Sequence, residues 1–407
     1  NGFVTTPLCC PSRASILSGM TAGTHGITNN GSGAEKFLPK AEDTVATRLD
    51  DAGYRTGFFG KYLNDYNKLV DKAPANPYVA PGWDRWVAFY ESDYRNFQLV
   101  IDGVRTGDQP GLSTVRLADE ADAFIRSSGS DPLFVYYAPY APHTQGGNPV
   151  EFESDRTAFA DFPAWRPPSY NEDDMSDKPA YMRSLPPISS AQSAASDNIH
   201  RTQLASMRAA DRGIQKIMTA LDATGRLNNT IFIFMGDNGF MWGEHRLNGG
   251  KNCVYEECIR VPFVVRGPGI PQGQVNSSIV LNTDILPTIL DFAGVSIPGA
   301  VEGKSMKSLL LSGSDPAWRE DALFESFVPN GNFTALRNAL WKYVKHTITG
   351  EEELYELTQD PFEIESKHAS IAPTITNPAK TYQQIKLEMS SRLTQLLAHP
   401  VLTVKKA

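Results

Sequence analysis

A mostly parallel α/β sheet with helices on both faces is the fold class this sequence predicts, and three observations point to it. Short β-branched and aromatic runs alternate with helical patterns along most of the chain. Three of those runs end in a charged or metal-competent group (Lys61, His143 and the pair Asp237-Asn238), as expected where strand C-termini gather at one edge. The chain has 407 residues, 41% of them hydrophobic, which is more apolar material than one core usually holds and argues for two domains.

The elements follow in order. A helical pattern over Thr44–Ala52 leads into an apolar run, Tyr54–Phe59, that ends in Gly60-Lys61. The pattern Ser113–Arg126 leads into Leu133–Tyr137 and then Ala141-Pro142-His143. An amphipathic helix with Leu204, Met207, Ile214, Met218 and Leu221 on its apolar face precedes Ile231–Met235, which ends in Gly236-Asp237-Asn238-Gly239. A fourth run, Val261–Val265, follows Glu256–Arg260. Between about residues 145 and 196 the periodicity fails, which predicts a long irregular insertion. Within it, Glu151–Lys178 holds eight acidic residues against three basic ones, an arrangement unfavourable to long polyanions. Beyond Pro298 the texture changes: Ala335–Thr347 and Glu353–Leu357 read as strands, and Tyr382–Leu397 as a closing helix. The expected division is a catalytic α/β domain over 1–315 and a small α+β domain over 316–407.

Composition excludes some partners. A net charge of −8 and a pI near 5.5 leave no electrostatic footprint for nucleic acid or an anionic membrane. No apolar run approaches the ~18 residues that a membrane span needs. The four cysteines form two close pairs, Cys9/Cys10 and Cys253/Cys258, which suit buried thiols or, in an exported protein, a disulfide. Neither pair has the partners of a zinc site.

The chemistry begins at Cys9-Cys10-Pro11-Ser12-Arg13. Ser12 is placed as a helix N-cap, which sets Cys9 just ahead of free backbone N–H groups that favour an anion. Arg13 adds a fork of donors suited to a tetrahedral oxyanion. After a buried strand, the Asp237 and Asn238 oxygens are hard ligands suited to calcium or magnesium.

Cys-x-Pro-Ser-Arg followed by x-x-x-Leu-Ser-Gly resembles the sulfatase signature over eleven positions, with Ser18 a mild variant. The resemblance implies an alkaline-phosphatase-like fold and a Cys9 oxidised to formylglycine by a formylglycine-generating enzyme. Its hydrated aldehyde attacks sulfur with one hydroxyl and expels sulfate with the other. The resemblance carries Lys61, Lys251 and Arg13 over as cations on the sulfate. It makes His143 a sulfate donor or the acid for the leaving alcohol, with His245 a neighbour of either. Asp237, Asn238 and residue 9 become ligands of Ca2+, with Mg2+ an alternative.

Gly60-Lys61-Tyr62-Leu63-Asn64 resembles the N-acetylglucosamine-6-sulfatase and arylsulfatase branch. The implied substrate is a small-molecule or carbohydrate sulfate ester, and the implied compartment is secreted, periplasmic or lysosomal. Two alternatives stand beside it: a phosphate or phosphonate monoester hydrolase of the same superfamily, and a catalytically silent binding protein. In the family, a first strand ahead of the Cys motif also supplies acidic metal ligands, and Asn1–Leu8 contains no acidic residue. The sequence is therefore expected to be a fragment lacking its first strand, with weak metal binding and little activity or stability on its own.

Overall fold

The computed structural model describes residues 1–144, 150–329 and 331–398. The start of the expected insertion, 145–149, and the end of the chain, 399–407, lie outside the described residues.

Strands β1 (Gly2–Phe3), β2 (Arg55–Gly60), β3 (Arg85–Glu91), β4 (Gln98–Ile101), β5 (Val104–Arg105) and β6 (Leu133–Ala138) come first. All but β1 form one sheet in the order β5-β4-β3-β2-β6. At its centre β2 runs parallel to both β3 and β6, whereas β4 and β5 add antiparallel hairpin strands at one edge. Successive β2 side chains point to opposite faces and so choose two different cores. Phe58 packs with Trp86, Leu17, Val45 and Leu286, which brings the helices Cys9–Ser18, Val45–Asp51 and Ile285–Ala293 to that face. Phe59 packs with Leu117, Phe124, Ile217 and Leu221, from the helices Ser113–Arg126 and Ser190–Ala223 on the other face. The α/β class with helices on both faces is thus the class observed.

Strand β7 (Phe232–Met235) is followed by a hairpin of β8 (Met241–Trp242) and β9 (Asn248–Gly250). The run read as one strand over Val261–Val265 is two, β10 (Arg260–Val261) and β11 (Phe263–Arg266), because Pro262 interrupts the ladder. β11 pairs antiparallel with β7, while β10 and β12 (Val280–Leu281) flank β1. Among the described residues β6 has no strand partner beyond β2, and β7 none beyond β11. Both are half-buried, and Phe234 is 40% exposed.

Four antiparallel strands close the chain: β13 (Asp321–Ser326), β14 (Phe333–Asn338), β15 (Trp341–His346) and β16 (Glu352–Glu356). One face of this sheet packs Phe324, Val344 and Tyr355 against Phe3 and Tyr255. The other packs Leu323, Tyr343 and Leu354 against Ile385, Met389 and Leu393 of the helix Tyr382–Ala398.

The long helix Ser190–Ala223 starts well before the periodic face read from sequence. Its signal is a Ser189/Gln192 capping box, in which Ser189 Oγ accepts from Gln192 N and Gln192 reaches back to Ser189 N. The irregular segment before it is pinned by ion pairs: Asp155 meets Arg208 and Arg212, and Asp197 holds Arg166 in a two-pronged contact at 2.8 Å. Acidic residues of that segment, Glu172, Asp173, Asp174 and Asp177, line a cavity of about 710 Å³ that does not include Cys9.

Candidate active site

The helix carrying the cysteine motif begins at Cys9, not after Ser12. Leu8 is extended (φ −147°, ψ 139°), and Ser12 N donates to Leu8 O at 3.0 Å, closing the first turn. Pro11 fits there because a first-turn residue needs no N–H partner. Ser12 instead points inward, where its Oγ accepts from Asn282 Nδ2 at 3.0 Å. Asn282 Oδ1 also receives Thr5 N (3.1 Å) and Thr5 Oγ1 (3.2 Å), so one amide ties the motif helix to the chain that leads into it. Cys9 therefore sits in the first turn, at the positive end of the helix.

Three other elements deliver their groups to it. β2 ends at Gly60 with φ 132°, where a Cβ would lie 2.0 Å from the Ala138 oxygen, so only glycine lets β2 and β6 stay paired up to this point. Lys61 follows at once, its N–H donating to Ala138 O at 2.9 Å. β7 delivers Asp237: Arg13 Nε donates to Asp237 Oδ2 at 2.8 Å and Arg13 Nη1 to Lys61 O at 2.7 Å. One guanidinium thus fastens the helix to the ends of both strands. β9 delivers Lys251, whose Nζ donates to Cys9 Sγ at 2.6 Å. His143, beyond β6, lies beside Cys9 and favours its thiolate. Its Nδ1 lies 2.6 Å from the Thr144 carbonyl, which only accepts, so Nδ1 carries a proton and Nε2 is the nitrogen free to gain or lose one. Its ring stacks on Tyr140 at 4.8 Å.

The electrostatics follow from this gathering. Burial pushes the Cys9 thiol up and Asp237 adds to that, but Lys61, His143 and Lys251 prevail and bring it down to about 6. Burial dominates at its neighbour, outweighing the Asn64 backbone, Lys61 and Arg13, and the Cys10 thiol is pushed up to about 12. Burial works against the Asp237 carboxylate, yet Arg13, Lys61 and Lys251 hold it below its ordinary range. Burial lowers Lys61 despite the opposing pull of Cys9. The Cys9 value predicts a titration in unmodified protein: thiolate absorbance near 240 nm should rise through pH 6 and vanish in Cys9→Ser, with nothing from Cys10 below about pH 12. Because the folded value lies under the ordinary thiol value, this ionisation stabilises the fold in full above about pH 9 and the contribution fades as pH falls through 6.

Asp237 and Asn238 also have the donor chemistry for a hard cation. Asn238 Nδ2 donates to Gly239 O at 2.8 Å, while its buried Oδ1 has no partner, and an orphaned oxygen beside a carboxylate suits calcium or magnesium. The number of donors is small: among the described residues no three His, Cys, Asp or Glu side chains converge on one point.

A sulfatase family model matches residues 1–295. The chain belongs to the sulfatase family. A second model, described as N-sulphoglucosamine sulphohydrolase, C-terminal, matches residues 243–399. The Drosophila melanogaster protein named extracellular sulfatase SULF-1 homolog is 31% identical over 80% of this chain, which spans only 30% of that relative's length. The human N-acetylglucosamine-6-sulfatase is 29% identical over 92% of this chain and 76% of its own. Among solved structures, a protein in complex with its substrate D-glucosamine-2-N,6-O-disulfate superposes with a TM-score of 0.83. It is 24% identical, with 98% of this chain and 89% of that one covered, a likeness of fold.

In this sulfatase-family chain, Cys9, Arg13, Lys61, His143, Lys251 and Asp237 come together, with Asn238 adjacent. His245 goes elsewhere. It is fully buried, its ring lies 4.1 Å from that of Tyr255, and its Nδ1 meets Glu172 Oε2 at 2.6 Å. Glu172 in turn pairs with the buried Lys178, so His245 serves an ionic core. The expected role of residue 9 as a metal ligand also meets a competitor, since Cys9 Sγ is taken by Lys251. Sequence reasoning missed Asn282 as the residue that orients the motif helix. Its signal was the Asn282-Thr283-Asp284 motif, which carries polar residues into a wholly buried position.

Proposed function

We propose that the chain hydrolyses sulfate monoesters, with a carbohydrate ester as substrate. The observation that carries this reading is the convergence of Lys61, His143 and Lys251 on the atom of residue 9 that would bear the nucleophile. A sulfuryl group placed there meets two ammonium groups and the positive end of a helix, which suit the negative charge on its oxygens. Arg13 acts differently: it is spent on Asp237 and Lys61 O, so it holds the site together. His143 Nε2 is placed to give a proton to the departing alcohol, because Nδ1 is anchored. A hydrated formylglycine at position 9 would supply one hydroxyl to form the ester with sulfur and a second to release sulfate. A divalent cation, held by Asp237 Oδ1 and Asn238 Oδ1, would supply further positive charge to the sulfate oxygens.

The name of the human relative and the ligand of the solved neighbour favour a 6-sulfated glucosamine derivative. A secreted or lysosomal-type compartment is supported by the disulfide between Cys253 and Cys258 and by the Drosophila relative's designation as extracellular. No helix among the described residues is long and apolar enough to cross a membrane. The modification of Cys9 implies a formylglycine-generating enzyme as partner.

The test is a sulfate-release screen over sulfated glucosamines and aryl sulfates, at millimolar calcium, on protein co-produced with a formylglycine-generating enzyme. Phosphate and phosphonate esters form the control arm. Release from sulfate esters alone supports the proposal, and preference for a phosphonate would reverse it. Within that assay, Lys61→Ala and Lys251→Ala should each lower kcat by about 10²–10³ while KM changes little, since each faces charge that grows in the transition state. A raised KM at constant kcat would assign them to simple binding.

Two protein oxygens are few for an ion that takes six to eight, so calcium should bind residues 1–407 with a Kd no tighter than about 10⁻⁴ M. Calorimetry checks this, and stoichiometric submicromolar binding would mean that further donors are present.

A further inference from the structure

The hairpin that delivers Lys251 also carries aromatic side chains that neither the fold nor the proposed chemistry uses. Phe240 follows the Asp237-Asn238 pair by two residues, and its ring end comes near Gly249 on the opposite strand. Trp242 lies 4.9 Å from Phe240 and 4.8 Å from the ring of His200 on the long helix. His200 in turn meets Phe162 edge-on at 6.0 Å. These four rings form a continuous strip. Phe240, Trp242 and His200 are half-buried and Phe162 is 40% exposed, so ring surface stays open to solvent.

The strip is built rigidly. Glu244, itself buried, accepts Trp242 N at 2.6 Å and Trp165 Nε1 at 2.5 Å, which locks the hairpin to the irregular segment. Arg201 Nε holds Phe162 O at 3.0 Å. Both feet of the hairpin stand in the catalytic cluster: one is Asp237, paired to Arg13, and the other is Lys251, on Cys9. Chain geometry then keeps Gly250 within about 13 Å of the Cys9 sulfur. That is the range of the alcohol part of an ester whose sulfur sits at residue 9.

We infer that Phe240, Trp242, His200 and Phe162 form a stacking platform for an uncharged pyranose ring of the substrate, beside the sulfate-binding cations. The inference rests on the proposed carbohydrate sulfatase reading and adds what recognises the alcohol. The carbon-bound hydrogens on one face of a pyranose carry slight positive charge and meet the negative face of an aromatic ring, while its hydroxyls stay wet at the edge. The charges beside the strip balance, Asp197 and Glu244 against Arg166 and Arg201, which suits an uncharged ring. Asp197 takes Arg166 in two contacts, and Arg201, the other guanidinium beside the strip, is held by its Nε on the Phe162 carbonyl. Burial lowers His200 against the pull of Asp197 and Glu244, which favours the neutral form of its ring.

The test is saturation-transfer NMR with the unsulfated β-methyl glycoside of N-acetylglucosamine on the whole 407-residue chain. Transfer should reach the ring hydrogens of the sugar, fall at least threefold in Trp242→Ala and Phe162→Ala, and return in Trp242→Phe. Phe162→Ala removes a half-exposed ring and guards against a folding defect in the Trp242 variant. In the turnover assay, Trp242→Ala should raise KM for 6-sulfated N-acetylglucosamine about tenfold with kcat changing far less. Absent transfer in the wild-type chain, or transfer in both alanine variants equal to that of the wild type, overturns the platform. Sugar binding needs neither a modified Cys9 nor a metal. A Trp242-dependent signal without sulfate release would therefore sink the hydrolase reading alone, and release without that signal would sink the platform alone.

Discussion

Replacing Cys9 with alanine should abolish sulfate release, a loss of at least about 10⁴-fold, because it removes the nucleophile outright rather than one of several supporting charges. Cys10→Ala should keep substantial activity. The two thiols are adjacent in sequence, yet Cys9 faces Lys251 while Cys10 faces the backbone, its Sγ lying where a Cβ on Gly33 would fall. Their ionisation differs accordingly, about 6 against about 12. Sulfate release together with the mass of the peptide ending at Arg13 checks both variants. Equal turnover by Cys9→Ala and the parent would remove residue 9 from the chemistry. An unmodified thiol in active protein would remove the formylglycine.

The second large effect concerns stability. Asp284 and Arg319 are both completely buried and pair through two contacts, one of them at 2.6 Å. Asp284 also accepts the N–H groups of Leu281 and Lys304, each at 2.8 Å. Asp284→Ala strands the guanidinium and two backbone donors in the interior, and should cost about 3–5 kcal/mol. Arg319→Ala should cost a similar amount by stranding the carboxylate. The double variant should lose clearly less than the sum, since neither charge is then left alone. Denaturant unfolding of the three variants measures this. Additive losses would mean that the pair contributes nothing as a pair. Because Asn282, two residues earlier, holds the motif helix, Asp284→Ala should also loosen Cys9, which the 240 nm titration would register as a shift away from pH 6.

What could be read from the sequence by itself was local. The apolar runs before Lys61, His143 and Asp237 became β2, β6 and β7, since a run of that length and composition favours a strand wherever it lies. The helices Val45–Asp51, Ser113–Arg126 and Tyr382–Ala398 sit within a residue or so of their periodic patterns. The eleven-residue motif singled out Cys9. Strands β3 and β4 lie outside the runs read from the sequence, although Trp86–Tyr90 is an aromatic and β-branched run, because that run ends in no polar site group.

Tertiary structure decided everything that depends on partners far along the chain. Ser12 has the composition of an N-cap, but the inward pull of Asn282, 270 residues away, gives its hydroxyl another partner and starts the helix at Cys9. Arg13 reads as an oxyanion donor until Asp237 and Lys61 O occupy its fork. His245 shares a segment with Lys251, yet Glu172 and Tyr255 draw it into an ionic core while Lys251 turns to the sulfur. Spacing in sequence sets which strand or turn carries a group. Which charge that group meets is set by packing between distant elements, and it is this that makes one of two neighbouring thiols acidic and leaves the other inert.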